Sequence, residues 1–184
     1  MKFIYYSIFL LVSFHLQGQS DHLVKGWPIK SIQTTENGEM TLGSSETKGK
    51  GPLSFLLISE GTSATKGWQR TYGGISYDRA SDIVMVEDGY LLLGSTSSYG
   101  NGNYDALLIK IDQKGKEIWR KTYGDFFNEY AEHFVKAEDD NYIFKMRKQY
   151  CDDNNMQDCT YGDWYIKVDK DGNRIREKNS IFGM

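Results

Sequence analysis

Two acid pairs are the first places where chemistry could be sought. Asp78 with Asp82, and Glu129 with Glu132, are close enough in sequence to share a surface. Paired carboxylates are what glycoside hydrolysis uses, one as acid and the other as base or nucleophile. Sequence spacing does not fix their separation in space, and Asp78 and Glu129 fall at the same place in a repeat described below, which favours a turn or capping role. Acyl transfer finds less support, because Ser44, Ser45, Ser95 and Ser97 follow no nucleophile elbow and no histidine is suitably placed.

The only two cysteines, Cys151 and Cys159, bracket the stretch DDNNMQD. In a chain folded outside the reducing cytosol such a pair is expected as a disulfide. Closing so short a loop stabilises by about 2 to 3 kcal/mol in chain-entropy terms, enough to pin an insertion locally but not to hold a fold. A metal pair or a catalytic thiol would need more ligands, and beyond residue 18 the chain offers only His22 and His133. Inside the bracket Asp152, Asp153 and Asp158 present oxygen atoms that calcium accepts. They are candidate metal ligands, beside the plainer reading of a solvated acidic tip, and no other cofactor is expected. The stretch DKDGN at residues 169–173 resembles the opening of a calcium loop, but no glutamate follows at its twelfth position. The preceding repeat reads DQKGK there, which makes it a turn.

Tyr99, Asn101, Asn103 and Tyr104 lie together in SSYGNGNYD. A Gly- and Asn-rich loop is expected to expose such rings, which could stack on a sugar or contact a partner, or simply pack locally. These four are the candidate ligand-binding residues.

The elements that must position these groups repeat. At a constant offset of 51 residues Trp68, Thr71, Tyr72 and Gly73 fall on Trp119, Thr122, Tyr123 and Gly124. Leu42, Gly43 and Ser44 fall likewise on Leu93, Gly94 and Ser95. Beyond Asp88 the offset slips, so that Lys110, Asp112 and Gly115 meet Lys167, Asp169 and Gly172, and the six extra residues include the cysteine insertion. Ungapped extension places Asp140 and Lys145 where Gly89 and Gly94 stand. Short apolar runs bounded by Gly, Asp, Asn and Ser, such as YLLLGSTS and DALLIKID, have the two-residue period of strands. About four strands per unit of about 50 residues is the size of a propeller blade. The sequence therefore predicts an all-β, β-propeller-like array of about three four-stranded blades, in units of about 27–67, 68–118 and 119–184. The recurring Asp112, Gly115 and Trp119 predict a tight turn, with the indole covering the junction between blades; Trp68, Asp169 and Gly172 are their counterparts.

The stretch ALLIKIDQKGKEIWRKTYG, with EDGYLLLGSTSS beside it, resembles the repeat of secreted bacterial β-propeller proteins in the quinoprotein-like group. The resemblance covers roughly residues 26–180 and is strongest over 68–119. It implies a scaffold without assigned catalysis, and no catalytic residue of the quinone-dependent enzymes in that wider group carries over. Relatives of this kind are commonly longer, and closed propellers have four to eight blades. Three blades leave sheet faces open. The expectation is that a C-terminal strand completes the first sheet, or that two chains form a six-bladed ring as a homodimer, or that the chain is a remnant of a longer protein.

Residues 1–18 read as a secretory signal peptide, with Lys2 followed by an apolar run of about a dozen residues, short of the about 20 a spanning helix needs. The net charge of −3 becomes slightly more acidic once Lys2 is removed. Such a balance supplies no clustered positive field for nucleic acid, and no later stretch is apolar enough to span a bilayer. The expected protein is exported, whether periplasmic, cell-surface or extracellular, and is a non-enzymatic binding module for a protein or glycan partner. The alternative is a carbohydrate-binding or glycoside hydrolase-like secreted protein.

Overall fold

A computed structural model describes residues 26–138, 141–152 and 155–179. Among them every regular element is a β-strand. The first sheet is a meander of β1 (Gly26–Thr34), β2 (Gly38–Ser45), β3 (Ser54–Gly61) and β4 (Lys66–Tyr72). The second runs through β5 (Asp78–Val86), β6 (Gly89–Thr96), β7 (Asp105–Ile111) and β8 (Glu117–Tyr123). The third is built of β9 (Glu129–Glu138), β10 (Asn141–Asp152), β11 (Asn155–Asp169) and β12 (Arg174–Lys178). All strand pairings within the sheets are antiparallel, and the first strands β1, β5 and β9 are neighbours along one side of the array.

The second sheet is sandwiched, which explains why its middle strands read as continuous apolar runs. Every residue of β6 and β7 is buried. Leu92, Leu107 and Ile109 meet Met40, Leu42, Phe55 and Leu57 of the first sheet. Alternate residues Leu91, Leu93 and Leu108 meet Tyr142, Phe144, Met146 and Ile166 of the third. At about 1.5–3 kcal/mol for each fully buried large side chain, these two cores hold the sheets together.

Repeated polar contacts set the registration. Ser44 Oγ accepts the Ala80 amide at 3.0 Å, and Ser95 Oγ accepts that of Ala131 at 3.0 Å. The Tyr72 hydroxyl donates to Gly115 O at 2.8 Å, and Tyr123 donates to Gly172 O at 2.7 Å. In each turn an aspartate takes backbone amides, Asp112 from Lys114 and Lys116, Asp169 from Asp171 and Asn173. The glycine that follows adopts φ +76° at Gly115 and +74° at Gly172. Its bare backbone admits the indole from the sheet before: a Cβ would lie 2.7 Å from Trp68 at Gly115 and 2.8 Å from Trp119 at Gly172.

Three expectations need correction. The sheets span residues 26–72, 78–123 and 129–178 rather than units cut at 67 and 118. A period carries no origin, and the cut expected before Trp68 removes β4 from its own sheet. The first sheet is therefore already complete, and β12 pairs with β11, Tyr165 opposite Lys178, instead of closing it. In the third sheet, Met146 pairs with Trp164 as Gly94 pairs with Leu107, and Lys145 pairs with Tyr165 as Leu93 pairs with Leu108. Lys145 thus stands for Leu93, not for Gly94. The cause is an added irregularity in β9, which shifts register twice against β10 where β5 shifts once against β6.

Candidate functional site

One end of the array gathers the connections 46–53, 73–77, 97–104 and 124–128 with the tip of the β10–β11 hairpin. Backbone bonds stitch them in series: Asp78 N to Leu53 O at 2.9 Å, Ser97 N to Tyr77 O at 2.8 Å, Glu129 N to Tyr104 O at 2.7 Å, and Gln149 N to Asn128 O at 2.8 Å. Five of the six extra residues lengthen this hairpin, the sixth being the one that β9 carries against β10, so residues 147–152 and 159–162 are paired strand rather than an open loop. Cys151 and Cys159 are direct cross-strand neighbours joined by a disulfide. Asp153 lies outside the described residues, and of Asp152 and Asp158 only the strand positions are described. Among the described residues no three Asp, Glu, His or Cys side chains converge as a metal site.

The two candidate tyrosines part company. Tyr99 is half-buried, packs against the core between the first two sheets, and donates its hydroxyl to Gly73 O at 3.0 Å. Arg120 donates to the same hydroxyl and lies 4.7 Å above the ring. Tyr99 is therefore a packing residue, not the exposed ring expected. Asn101 and Asn103 are exposed, and the Asn101 amide is held by Asp105 Oδ2 at 3.1 Å. Tyr104, also half-buried, joins a different group. Its ring centre lies 5.4 Å from that of Tyr130 on β9, which lies 6.1 Å from that of Tyr161 on β11. The Arg147 guanidinium stands 5.1 Å above Tyr161. Three elements from two sheets thus build a tyrosine row ending in a cation.

The anticipated acid pairs do not converge on an open cleft. Asp78 is fully buried, accepting bonds from Gly74 N, Ser98 Oγ and Thr96 Oγ1. Asp82 is spent on Lys30 Nζ at 2.6 Å, its neighbour Ile83 N, and Phe134 N at 2.8 Å. Glu132 pairs with Lys145 at 3.0 Å. Glu129, fully buried, instead meets Asp105 across Gly124, where a Cβ would lie 2.3 Å from Asp105 Oδ1 and 2.4 Å from Glu129 Oε2. Burial, then a hydrogen bond to Asp125, pushes the Glu129 carboxyl up to about 8. Burial also raises Asp105. For Asp125 burial opposes ionisation, but the Lys148 ammonium 2.8 Å away holds the group below its usual range. Asp105 and Glu129 therefore form a buried seam inside the sheet junction, with Asp125 exposed at its edge.

Tyr130 and Tyr161 were missed as site residues. Their signal was positional: Tyr130 replaces Arg79 of the previous repeat, and Tyr161 falls on Tyr104 at the offset that aligns Lys167 with Lys110. Among the described residues no helix is long and apolar enough to cross a membrane. No family model matches the chain, and no curated protein matches it. The fold itself defines the class available here: a three-bladed, propeller-like array of antiparallel meanders.

Proposed function

We propose that this chain is an exported, non-enzymatic binding module that holds its ligand at the loop end between the second and third sheets. The observation carrying this reading is the row Tyr104, Tyr130 and Tyr161, with ring centres 5.4 and 6.1 Å apart and Arg147 at its end. Aromatic rings with a polar tip supply contact area at low entropic cost, the usual make-up of recognition surfaces. The paired strands and the disulfide hold the row before any ligand arrives, which limits the ordering cost of binding. Export is supported by the leader-like residues 1–18 and by the disulfide, a bond that persists in oxidising compartments. The absence of catalysis is supported by the acids, which face the junction or neighbouring cations instead of a cleft. The resemblance to quinoprotein-like propeller repeats points the same way.

A glycan array probed with the oxidised protein, followed by NMR shift mapping of each hit, tests the reading. Shifts at Tyr104, Tyr130 and Tyr161 without turnover are expected. Binding confined to other surfaces, or hydrolysis of a bound glycan, would overturn it.

A further inference from the structure

Arg147 occupies a position that has a different use elsewhere in the array. It pairs with Asp163 as Ser95 pairs with Ala106 and as Ser44 pairs with Phe55. In the first two sheets this serine accepts an amide of the following sheet. In the third sheet a long cation replaces it and reaches over the Tyr161 ring. Its cross-strand neighbour Asp163 turns to Lys145 at 2.9 Å. Among the described residues no carboxylate pairs with the Arg147 guanidinium, which is exposed and keeps its donors for solvent.

We propose that Arg147, stacked on Tyr161 at the end of the tyrosine row, is the carboxylate-recognising residue of an acidic-glycan binding site. The inference rests on the binding-module reading above. A pyranose ring has apolar C–H faces and hydroxyl edges, which suit tyrosine faces and their hydroxyls. A ring that also bears a carboxylate offers the planar anion that a guanidinium fork holds with two parallel bonds. Stacking on Tyr161 orients that fork in advance. A peptide that docks by strand addition would use the edge of β11 beyond its last β12 partner, Tyr165 opposite Lys178, and would call on neither the tyrosine faces nor the guanidinium fork.

The test is calorimetric titration of the oxidised protein with oligogalacturonate and with its fully methyl-esterified form. The acid form should bind, the ester at least tenfold more weakly, with affinity for the acid falling as salt rises. Arg147→Gln should cost the acid form at least tenfold and leave the ester unchanged, and Arg147→Lys should recover part of the loss. Tyr161→Ala should weaken both forms. Lys114→Gln, at the opposite end, should change neither, and melting curves identify any variant that fails to fold. Equal affinity for acid and ester, no response to Arg147→Gln in a folded protein, or no binding at millimolar ligand overturns the proposal. Binding of a neutral glycan or a peptide at Tyr104 and Tyr161 would remove the acidic ligand but keep the module; no ligand at this end in the array screen would remove both.

Discussion

The carboxylate of Asp82 accepts the backbone amide of Phe134 at 2.8 Å, joining the first strand of the second sheet to the first strand of the third. Its other oxygen takes Lys30 Nζ of the first sheet at 2.6 Å. One buried side chain on the middle sheet therefore ties all three. Asp82→Ala would leave the Phe134 and Ile83 amides without their acceptor, at a cost of about 2–3 kcal/mol. Lys30→Ala should cost under about 1 kcal/mol, because that lysine is 41% exposed and its pair is screened. Urea unfolding of the two variants measures the difference; equal losses would show that the ion pair, not the amide bond, carries the contact.

The indole-on-glycine contact predicts a second asymmetry. Gly115→Ala combines a positive φ with a Cβ 2.7 Å from Trp68, and should destabilise by about 2 kcal/mol or more. Ala at Asn101, in an exposed loop, should change stability by under about 0.5 kcal/mol. Thermal melts of both proteins check this.

These contacts mark how far the sequence could be read. Strand content and repeat length were legible because Trp68 and Trp119, with their neighbours, recur without a gap, and because both β6 and β7 are apolar runs. The phase was not, since periodicity alone cannot say whether the Trp68 strand ends one sheet or begins the next. The third repeat was misread by one residue in β10, and in a strand one residue exchanges the two faces. That slip hid Lys145 and Arg147 on the face where Leu93 and Ser95 stand in the second sheet. The candidate site was half legible: Tyr104 is in the row, but Tyr99 is drawn inward by Arg120 and Gly73 O, contacts that depend on chain far away in sequence.

Glu129 predicts a pH dependence. Its carboxyl is raised in the folded state to about 8 from an ordinary value near 4.5. Between those values the folded chain keeps a proton that the unfolded chain releases, so this group's contribution to stability falls as pH rises from about 4.5 to about 8. Below that window it contributes no difference. Glu129→Gln removes the ionisation and should raise stability at pH 8 by on the order of 1–2 kcal/mol while changing little at pH 4. Denaturant titrations of both proteins at several pH values would show the two curves converging toward acid; a constant gap would mean that packing, not the proton, governs the site.

The face that the third sheet turns away from the second predicts the state of association. Where Leu42 and Leu93 pack on a following sheet, the third sheet has Lys145, ion-paired to Glu132 and Asp163; where Leu57 and Leu108 stand it has Tyr165, and in place of Phe55 and Ala106 it has Asp163. Docking another sheet there would bury this charged cluster, and its desolvation would offset the apolar gain. Repeat arrays end on such polar faces, which also protect against uncontrolled stacking. The oxidised protein should sediment as a monomer at high concentration, so two chains should not close a six-bladed ring. Replacing the cluster with its second-sheet counterparts, Lys145→Leu, Arg147→Ser, Asp163→Ala and Tyr165→Leu, should expose a dry face and drive concentration-dependent association. A wild-type dimer in sedimentation equilibrium, or a quadruple variant that stays monomeric while folded, would show that the face does not control assembly.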